Sequence, residues 1–297
     1  MYYYKKMQNI WVVMVKRTIS KILIIALTIG HVLFLSSCGA NTPCVDELSS
    51  LVANAILSDN YGQYQEGECS GEGHKVLGCD VTGNFLKVYA LTMYGNYGFQ
   101  NDMFIKISGS GVIPAVFTYK YNGENYELIN SEYPMDGMEY IKSIKRMFPV
   151  RYRTEALNGY EAYDELRSME QGYARDYLKS IGRDVEIGEY RDLDVVLLTD
   201  VGVSTDVSNR LICDKNLECY PYWIGSEEFI ENGVRYVRAL SFNDKEHRII
   251  FSTYEKETGA VVESFIFDSE TGKAVEINSP EDVDDVTKFQ SKQFKSP

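Results

Sequence analysis

The chain has 297 residues, of which 44% are hydrophobic and 25% are charged, with 43 acids against 30 bases. This is the composition of a globular protein long enough for two domains. It excludes a disordered chain, a collagen-like fibre and a protein with several membrane spans.

The first 38 residues are typical of a bacterial secretory signal. They contain five bases and no acid, and their apolar run over 22–35 has 14 residues, whereas a bilayer span needs about 20. The sequence Leu-Ser-Ser-Cys, which ends at Cys38, resembles the lipobox of bacterial lipoproteins, in which the cysteine is diacylated and becomes the first mature residue. We therefore expect a signal peptide over 1–37 and a lipid on Cys38.

This processing predicts a location on the extracytoplasmic face of the cell membrane. Palmitate-type chains contribute about 0.8 kcal/mol per buried CH₂, so two or three of them would hold the protein there. The alternative is an uncleaved signal anchor in which Cys38 is incidental. A compact basic segment starts at Met14, which therefore competes with Met1 as the true start.

Cleavage before Cys38 leaves 25 of the 30 bases and all 43 acids, a formal net charge of −18. This charge argues against nucleic acid as a partner. Anionic headgroups would repel the acidic body, so we expect only the lipid to contact the membrane.

Five cysteines remain besides Cys38, so at least one thiol stays free if the others pair. Cys213 and Cys219 could close a loop across a hairpin, and an extracytoplasmic location permits oxidation. We therefore predict a disulfide between these two residues.

The other three cysteines leave alternatives open. Cys69 and Cys79 flank a glycine-rich turn and could pair with each other. With His74 they also form the pattern C-x₄-H-x₄-C, which would offer a metal three ligands and leave Cys44 as the fourth. The spacing differs from the usual C-x₂-C knuckle, so we expect no metal and no other cofactor.

After a tether over 38–44, apolar residues recur at helical spacing over 45–59, which predicts an amphipathic helix. Strands are predicted to follow, with Asn122-Gly123 as a two-residue type I′ turn between the last two. The predicted strands are 74–79, 85–94, 103–107, 112–121 and 124–133.

Two helices are predicted next, one over 138–147 and a longer one between 154 and 182. A helix packed on an antiparallel sheet is an α+β module of the cystatin-like or NTF2-like kind. We assign this α+β domain to residues 45–182.

From residue 185 the pattern is of strands alone, joined by short glycine turns such as Asn232-Gly233. It predicts an antiparallel β-meander domain over 185–278, followed by an acidic flexible tail over 279–297. The predicted strands are 191–199, 227–231, 234–242, 247–255, 260–268 and 273–277.

The usual catalytic motifs are missing from the sequence. It has no His-Glu-x-x-His, no Gly-x-Ser-x-Gly, no phosphate-binding glycine loop before a helix, and no Ser-x-x-Lys or Lys-Thr-Gly. His74 and His247 remain after cleavage, and each has an ordinary place at the end of a strand or a turn. We therefore predict a protein without catalytic activity.

Two surface features are candidate binding sites. Five cations with no acid among them lie within twelve residues, and they either cap a helix and solvate a turn or dock an anionic wall polymer or protein. The chain also has 23 tyrosines, most of them ordinary sheet residues, although aromatic rings also stack on sugars and peptides. The cation cluster is Lys142, Lys145, Arg146, Arg151 and Arg153, and the densest aromatic site is Tyr220, Tyr222 and Trp223.

Four segments resemble the extracytoplasmic region attached to bacterial membrane metallopeptidases of the β-lactam sensor-transducer type. They are FLKVYALTMY at 85–94, SGSGVIPAVFT at 108–118, EYIKSIKRMFP at 139–149, and YWIG through NGVRYV at 222–237. The zinc-peptidase motif, the acylating serine and the transmembrane helices of those proteins are missing. The resemblance therefore implies a detached, lipid-anchored relative of a sensor's outer domain, and it assigns no active-site residue.

These observations together predict a membrane-anchored binding or sensing lipoprotein whose ligand the sequence does not specify. One alternative is a wall-active hydrolase with two carboxylates about 5 to 9 Å apart. The other is a carrier of lipid or lipoprotein with an apolar cavity enclosed by the sheet.

Overall fold

The computed structural model of the chain describes residues 43–275, which belong to one compact unit that begins at Pro43. The fold is α+β, with a large antiparallel sheet and a few helices packed on it. The predicted signal peptide, Cys38 and the tail over 279–297 lie outside the described residues. Within residues 43–275, no helix has the length and apolar composition needed to cross a membrane.

Within residues 43–275 the sheet has ten strands, and its main path runs β10-β9-β8-β7-β2-β3-β6. The helices are α1 (Val45–Asn60), α2 (Tyr140–Met147), α3 (Arg153–Leu157), α4 (Tyr163–Ser180) and α5 (Thr205–Ile212). The strands are β1 (Cys69–Thr82), β2 (Phe85–Gln100), β3 (Met103–Gly109), β4 (Ile113–Tyr121), β5 (Tyr126–Glu132), β6 (Ile187–Glu189), β7 (Gly225–Glu231), β8 (Val234–Asn243), β9 (Arg248–Glu255) and β10 (Val261–Asp268).

Strand β2 is the centre of the fold. It pairs with β1 along one side and with β4 and then β3 along the other. Helices cover both of its faces, since Leu86 and Val88 belong to the core around α1 whereas Leu91 and Tyr97 pack with residues of α4. Because both faces are covered, nearly every residue of β2 is buried. The strand continues to Gln100, six residues beyond its predicted end.

Helix α1 confirms the helix predicted over 45–59. Its buried residues are spaced three and four apart, which is the spacing of one helix face. This face covers β2 and β4, where Phe117 is fully buried. The buried residues of the helix are Leu48, Val52, Ala55 and Ile56.

Helix α4 lies close to β1 because the strand presents glycine to it. A Cβ atom at Gly73 would lie 2.1 Å from the carbonyl oxygen of Leu166, and one at Gly71 would lie 2.6 Å from that of Glu170. Glycine usually weakens a strand, so the first predicted strand begins only at residue 74, whereas β1 begins at Cys69. The close approach of the helix accounts for the difference.

Strands β7 to β10 form sequential antiparallel hairpins. Asn232 and Gly233 make the predicted two-residue turn, with φ angles of 52° and 83° that suit type I′. Strand β7 also pairs with the end of β2, so these strands continue the same sheet. The predicted boundary between residues 182 and 185 stays a prediction.

The turn between β4 and β5 differs from the prediction. It spans the four residues between Tyr121 and Tyr126 rather than two. Asn122 Oδ1 accepts hydrogen bonds from the backbone N–H groups of Glu124 and Asn125, at 3.0 and 2.9 Å. An asparagine side chain therefore forms the turn that the prediction assigned to the backbone.

The strand predicted over 191–199 is wrong. The segment contains two 3₁₀ turns, at Tyr190–Asp192 and Leu198–Val201. The carboxylates of Asp192 and Asp200 each accept a backbone N–H three residues earlier, both at 2.8 Å. Such local side-chain bonds compete with strand pairing, which accounts for the absence of the predicted strand from this described segment.

Two further predictions need correction. The helix predicted between 154 and 182 consists of α3, a 3₁₀ turn at Gly159–Ala162, and α4. Helix α5 was not predicted, although Ser204 caps it by accepting the N–H of Val207. Of the last predicted strand, over 273–277, the described part contains a single bridge at Ala274.

Candidate functional site

A cavity of about 530 Å³ lies where the end of α1 meets the start of β4 and the segment between β5 and α2. We call it the Asp59 cavity. Two acids, Asp59 and Asp136, line it, and no lysine or arginine is present among the described residues around it. Among its described lining residues, the Asp59 cavity therefore has two carboxylates and no basic side chain to offset them.

The end of α1 adds to this negative charge. Carbonyl groups at a helix C-terminus carry partial negative charge, and the last turn of α1, described in full, contains no base. The Tyr133 hydroxyl donates a hydrogen bond of 2.8 Å to Asp59 Oδ2. Burial and the neighbouring Asp59 raise the pKa of Tyr133, so this hydroxyl stays protonated and holds the carboxylate in place.

Aromatic rings form much of the remaining wall. Tyr64, Tyr133 and Tyr140 line the Asp59 cavity together with Pro114. Tyr64 is fixed by stacking on Tyr94, with ring centroids 5.8 Å apart. Carboxylates combined with aromatic faces are the chemistry that proteins use to bind ammonium groups with apolar substituents.

A second cavity, of about 350 Å³, lies between the segment before β1 and strand β7. We call it the Glu227 cavity. Burial raises the pKa of Glu227, while Glu68 and Glu228 are both bound by Arg235. Gln100 Oε1 is buried there and has no hydrogen-bond partner among the described residues.

The Glu227 cavity does not supply a free pair of catalytic carboxylates. Hydrolysis by two carboxylates needs an acid and a base that are both available. Arg235 pairs with Glu68 and Glu228, and Arg238 lies 3.8 Å from Glu227. Among the described residues this leaves Glu66 as the one lining carboxylate without an ion pair. Both cavities contain carboxylates, so neither has the purely apolar wall that a lipid carrier needs.

The predicted cation cluster is largely neutralised within the chain. Lys142 pairs with Glu139 at 2.7 Å, Arg146 with Glu132 at 3.4 Å, and Arg151 with Asp80. Arg153 donates instead to two backbone carbonyls, those of Phe148 and Lys145. The three acidic partners lie outside the twelve residues that contain the cluster. The charge pattern of those twelve residues therefore did not predict the ion pairs.

The predicted aromatic site is divided between the interior and the surface. Tyr220 and Trp223 are 7% and 4% exposed, and Tyr220 packs in the core beneath β9. Only Tyr222 is exposed, and its hydroxyl contacts that of Tyr190. Two of the three rings are therefore unable to stack on a ligand.

The cysteine predictions have different outcomes. Cys213 and Cys219 are both exposed free thiols in the structure, and their disulfide stays a prediction. Cys69 and Cys79 lie on the same strand, β1, ten residues apart. At about 3.3 Å per residue they are too far apart for a disulfide or a shared metal, so both alternatives are wrong.

The residues of the Asp59 cavity were not identified from the sequence. Asp59 and Tyr133 stand at the ends of predicted elements, and no motif connects them. The sequence signal that could have found them is that polar residues at the ends of elements can meet at one edge of a sheet. This arrangement is too common to identify a binding site.

Comparison with protein-family models finds no family that matches the chain, and comparison with curated proteins finds no match either. The likeness to sensor-transducer domains therefore stays a prediction.

Proposed function

We propose that the protein is an extracytoplasmic lipoprotein, anchored to the cell membrane through Cys38, that binds or senses a small organic cation in the Asp59 cavity. The observation that carries the proposal is the composition of that cavity, in which two carboxylates and three tyrosines face a space without a base among its described lining. The net charge of −18 on the mature chain would also attract a cationic ligand over a distance.

Residues 45–182 would form a cystatin-like or NTF2-like domain and residues 185–278 a β-meander domain, as in a detached relative of a sensor's outer domain. Helices packed on an antiparallel sheet and the sequential hairpins of β7 to β10 support this description. A sensor of this kind needs a ligand site, which the Asp59 cavity would supply.

The cation cluster remains a second proposed surface, for an anionic wall polymer or protein. Its intramolecular ion pairs reduce the charge that it can offer. We therefore favour the Asp59 cavity.

The anchor is tested by Cys38→Ala. Loss of the acyl chains should move the protein from the detergent phase to the aqueous phase in a phase-separation assay. A Cys38→Ala protein that stays in the detergent phase would show that an uncleaved signal, not a lipid, holds it.

The ligand class is tested with choline and its uncharged isostere 3,3-dimethylbutan-1-ol. Titration calorimetry of the full chain should detect binding of choline and no binding of the alcohol, because only choline has a positive charge to pair with the carboxylates. Asp59→Asn should weaken choline binding about tenfold or more, whereas Asp176→Asn on the exposed face of α4 should not. Equal binding of the two compounds, or no binding of choline, would refute the cation site.

A further inference from the structure

Three side chains from α1 and β1 form a continuous chain of hydrogen bonds. Ser49 Oγ lies 2.8 Å from His74 Nε2, and His74 Nδ1 lies 2.8 Å from Glu72 Oε2. The order of atoms, with the serine on Nε2 and the carboxylate on Nδ1, is the order that activates a serine hydroxyl. We propose that Ser49 is a nucleophile that attacks carboxylic esters, with His74 as its general base and Glu72 as the residue that positions the imidazole.

The orientation of Ser49 is not explained by the needs of its helix. A serine within a helix often donates back to the carbonyl four residues earlier, and Ser50 does so, to Asp46 O at 3.0 Å. Ser49, one position away, is instead within hydrogen-bond distance of the His74 imidazole on β1. The two neighbouring serines therefore have different partners, which provides a matched pair for experiments.

Burial suits the proposed roles. The side chains of His74 and Glu72 are 5% and 3% exposed, whereas Ser49 is only half-buried. A shielded imidazole and carboxylate interact more strongly than they would in water. Glu72 is also fixed by the Tyr173 hydroxyl, which donates to its other oxygen at 2.9 Å.

Ser49 also lies one turn from the positive end of α1. The first N–H groups of a helix lack intrahelical acceptors, and Cys44, which precedes α1, provides no side-chain cap. These N–H groups would favour the negative charge that develops on an ester oxygen under attack, whereas the carboxylates of Asp46 and Glu47 in the same turn would oppose it.

The reaction is a two-step acyl transfer to water. Ser49 Oγ bonds to the ester carbonyl carbon while His74 Nε2 takes the hydroxyl proton, and the alcohol leaves with that proton when the carbon–oxygen bond breaks. Water, deprotonated by His74, then attacks the acyl-serine, which releases the acid and restores the hydroxyl. The sequence motifs did not indicate this chemistry, because Ser49 and His74 meet only through the packing of α1 on the sheet.

The proposal is independent of cation binding. Ser49 and Asp59 are ten residues apart along α1, or about 15 Å at 1.5 Å per residue. Either site can therefore fail its test while the other passes.

The test uses the full chain in detergent with a fluorophosphonate probe, followed by mass spectrometry to locate the label. We expect one label per chain, on Ser49. Ser49→Ala and His74→Gln should lose labelling, and Ser50→Ala should keep it. Because the label is located on the unmutated protein, the test does not depend on whether the variants fold.

Turnover of p-nitrophenyl acetate tests the role of Glu72. Glu72→Gln should lower kcat by about 10²-fold or more and leave KM nearly unchanged, because the carboxylate acts through the imidazole rather than on the ester. An unlabelled chain, a label on another residue, or hydrolysis equal in wild type and Ser49→Ala would overturn the proposal.

Discussion

Arg235 on β8 and Glu68, which directly precedes β1, are 167 residues apart in sequence and form a two-point ion pair, with nitrogen–oxygen distances of 2.6 and 2.8 Å. Arg235 Nη1 also lies 2.9 Å from a carboxylate oxygen of Glu228 on β7. Glu228 in turn pairs with Arg183 and Lys256. This network joins the four strands β7 to β10 to the rest of the sheet beside the short β2–β7 pairing.

The network predicts a pH dependence of stability. The surrounding cations hold the pKa of Glu228 below its usual value of 4.5, although burial opposes them. A lowered pKa in the folded state means that Glu228 stabilises the fold above about pH 4.5, and that this stabilisation is lost as the pH falls. Glu228→Gln should lower the free energy of unfolding at pH 7 by about 1–3 kcal/mol. Urea unfolding between pH 7 and pH 3 should show a smaller acid-induced loss in the variant than in wild type, and parallel curves would contradict the prediction.

The glycines beneath α4 predict a sharp contrast between two alanine substitutions. Gly73→Ala would place a Cβ atom 2.1 Å from a backbone oxygen, so the helix must move, and the free energy of unfolding should fall by about 1–3 kcal/mol or more. Gly111→Ala is the control, since its Cβ position has no atom within 4 Å from any described residue beyond Gly111 and its chain neighbours. It should change stability by less than about 0.5 kcal/mol. Similar melting temperatures for the two variants would mean that α4 is not packed as described.

Lys106 and Glu170 form an ion pair at 2.9 Å, with Glu170 fully buried between α4 and the sheet. Burial raises the pKa of Glu170 despite the lysine. Removing one partner leaves the other uncompensated, so Glu170→Ala should lower the free energy of unfolding by about 3–5 kcal/mol. The double variant Glu170→Gln with Lys106→Met should lower it by less, because it removes both charges. Asp176→Ala, in an exposed pair on the same helix, should cost under about 0.5 kcal/mol. A double variant as unstable as Glu170→Ala would contradict this reasoning.

The cation cluster predicts salt-sensitive binding to a wall polyanion if it is a docking surface. Screening acts over about 8 Å at physiological ionic strength, so affinity should fall steeply as salt is added. Changing Lys145, Arg146 and Arg151 to Gln should abolish that binding while the melting temperature changes little. Cell-wall binding that persists in the triple variant, or that does not respond to salt, would leave the cluster with only its intramolecular partners.

Limited proteolysis tests the predicted domain boundary. Lys179 is exposed at the end of α4, with its side chain 76% accessible, and the residues from 181 to 186 connect α4 to β6. Trypsin should cut here first and leave two folded pieces. We expect the pieces to stay associated at low salt through Arg235 and Glu68. A chain that resists cutting across residues 181–189 would instead be a single indivisible unit.

Local sequence patterns determined much of the fold in advance. The spacing of Leu48, Val52 and Ile56 is enough to identify α1 and its buried face, because helical periodicity is a property of neighbouring residues. Asn232-Gly233 likewise identified a hairpin, since few residue pairs tolerate two positive φ angles. The same reasoning failed over 191–199, where carboxylates of Asp192 and Asp200 bond to their own backbone in place of a neighbouring strand.

The sequence by itself therefore determined the α+β class, the order of most elements and the acidic charge. The tertiary structure alone decided which side chains meet: Asp59 with Tyr133, Ser49 with His74, and Glu68 with Arg235. Hydrophobic periodicity indicates whether a residue is buried. The partner of a buried polar group depends instead on strand register and on how closely each helix approaches the sheet. At Gly73 the absence of a Cβ atom permits the close approach of α4, and the local sequence pattern did not predict this contact.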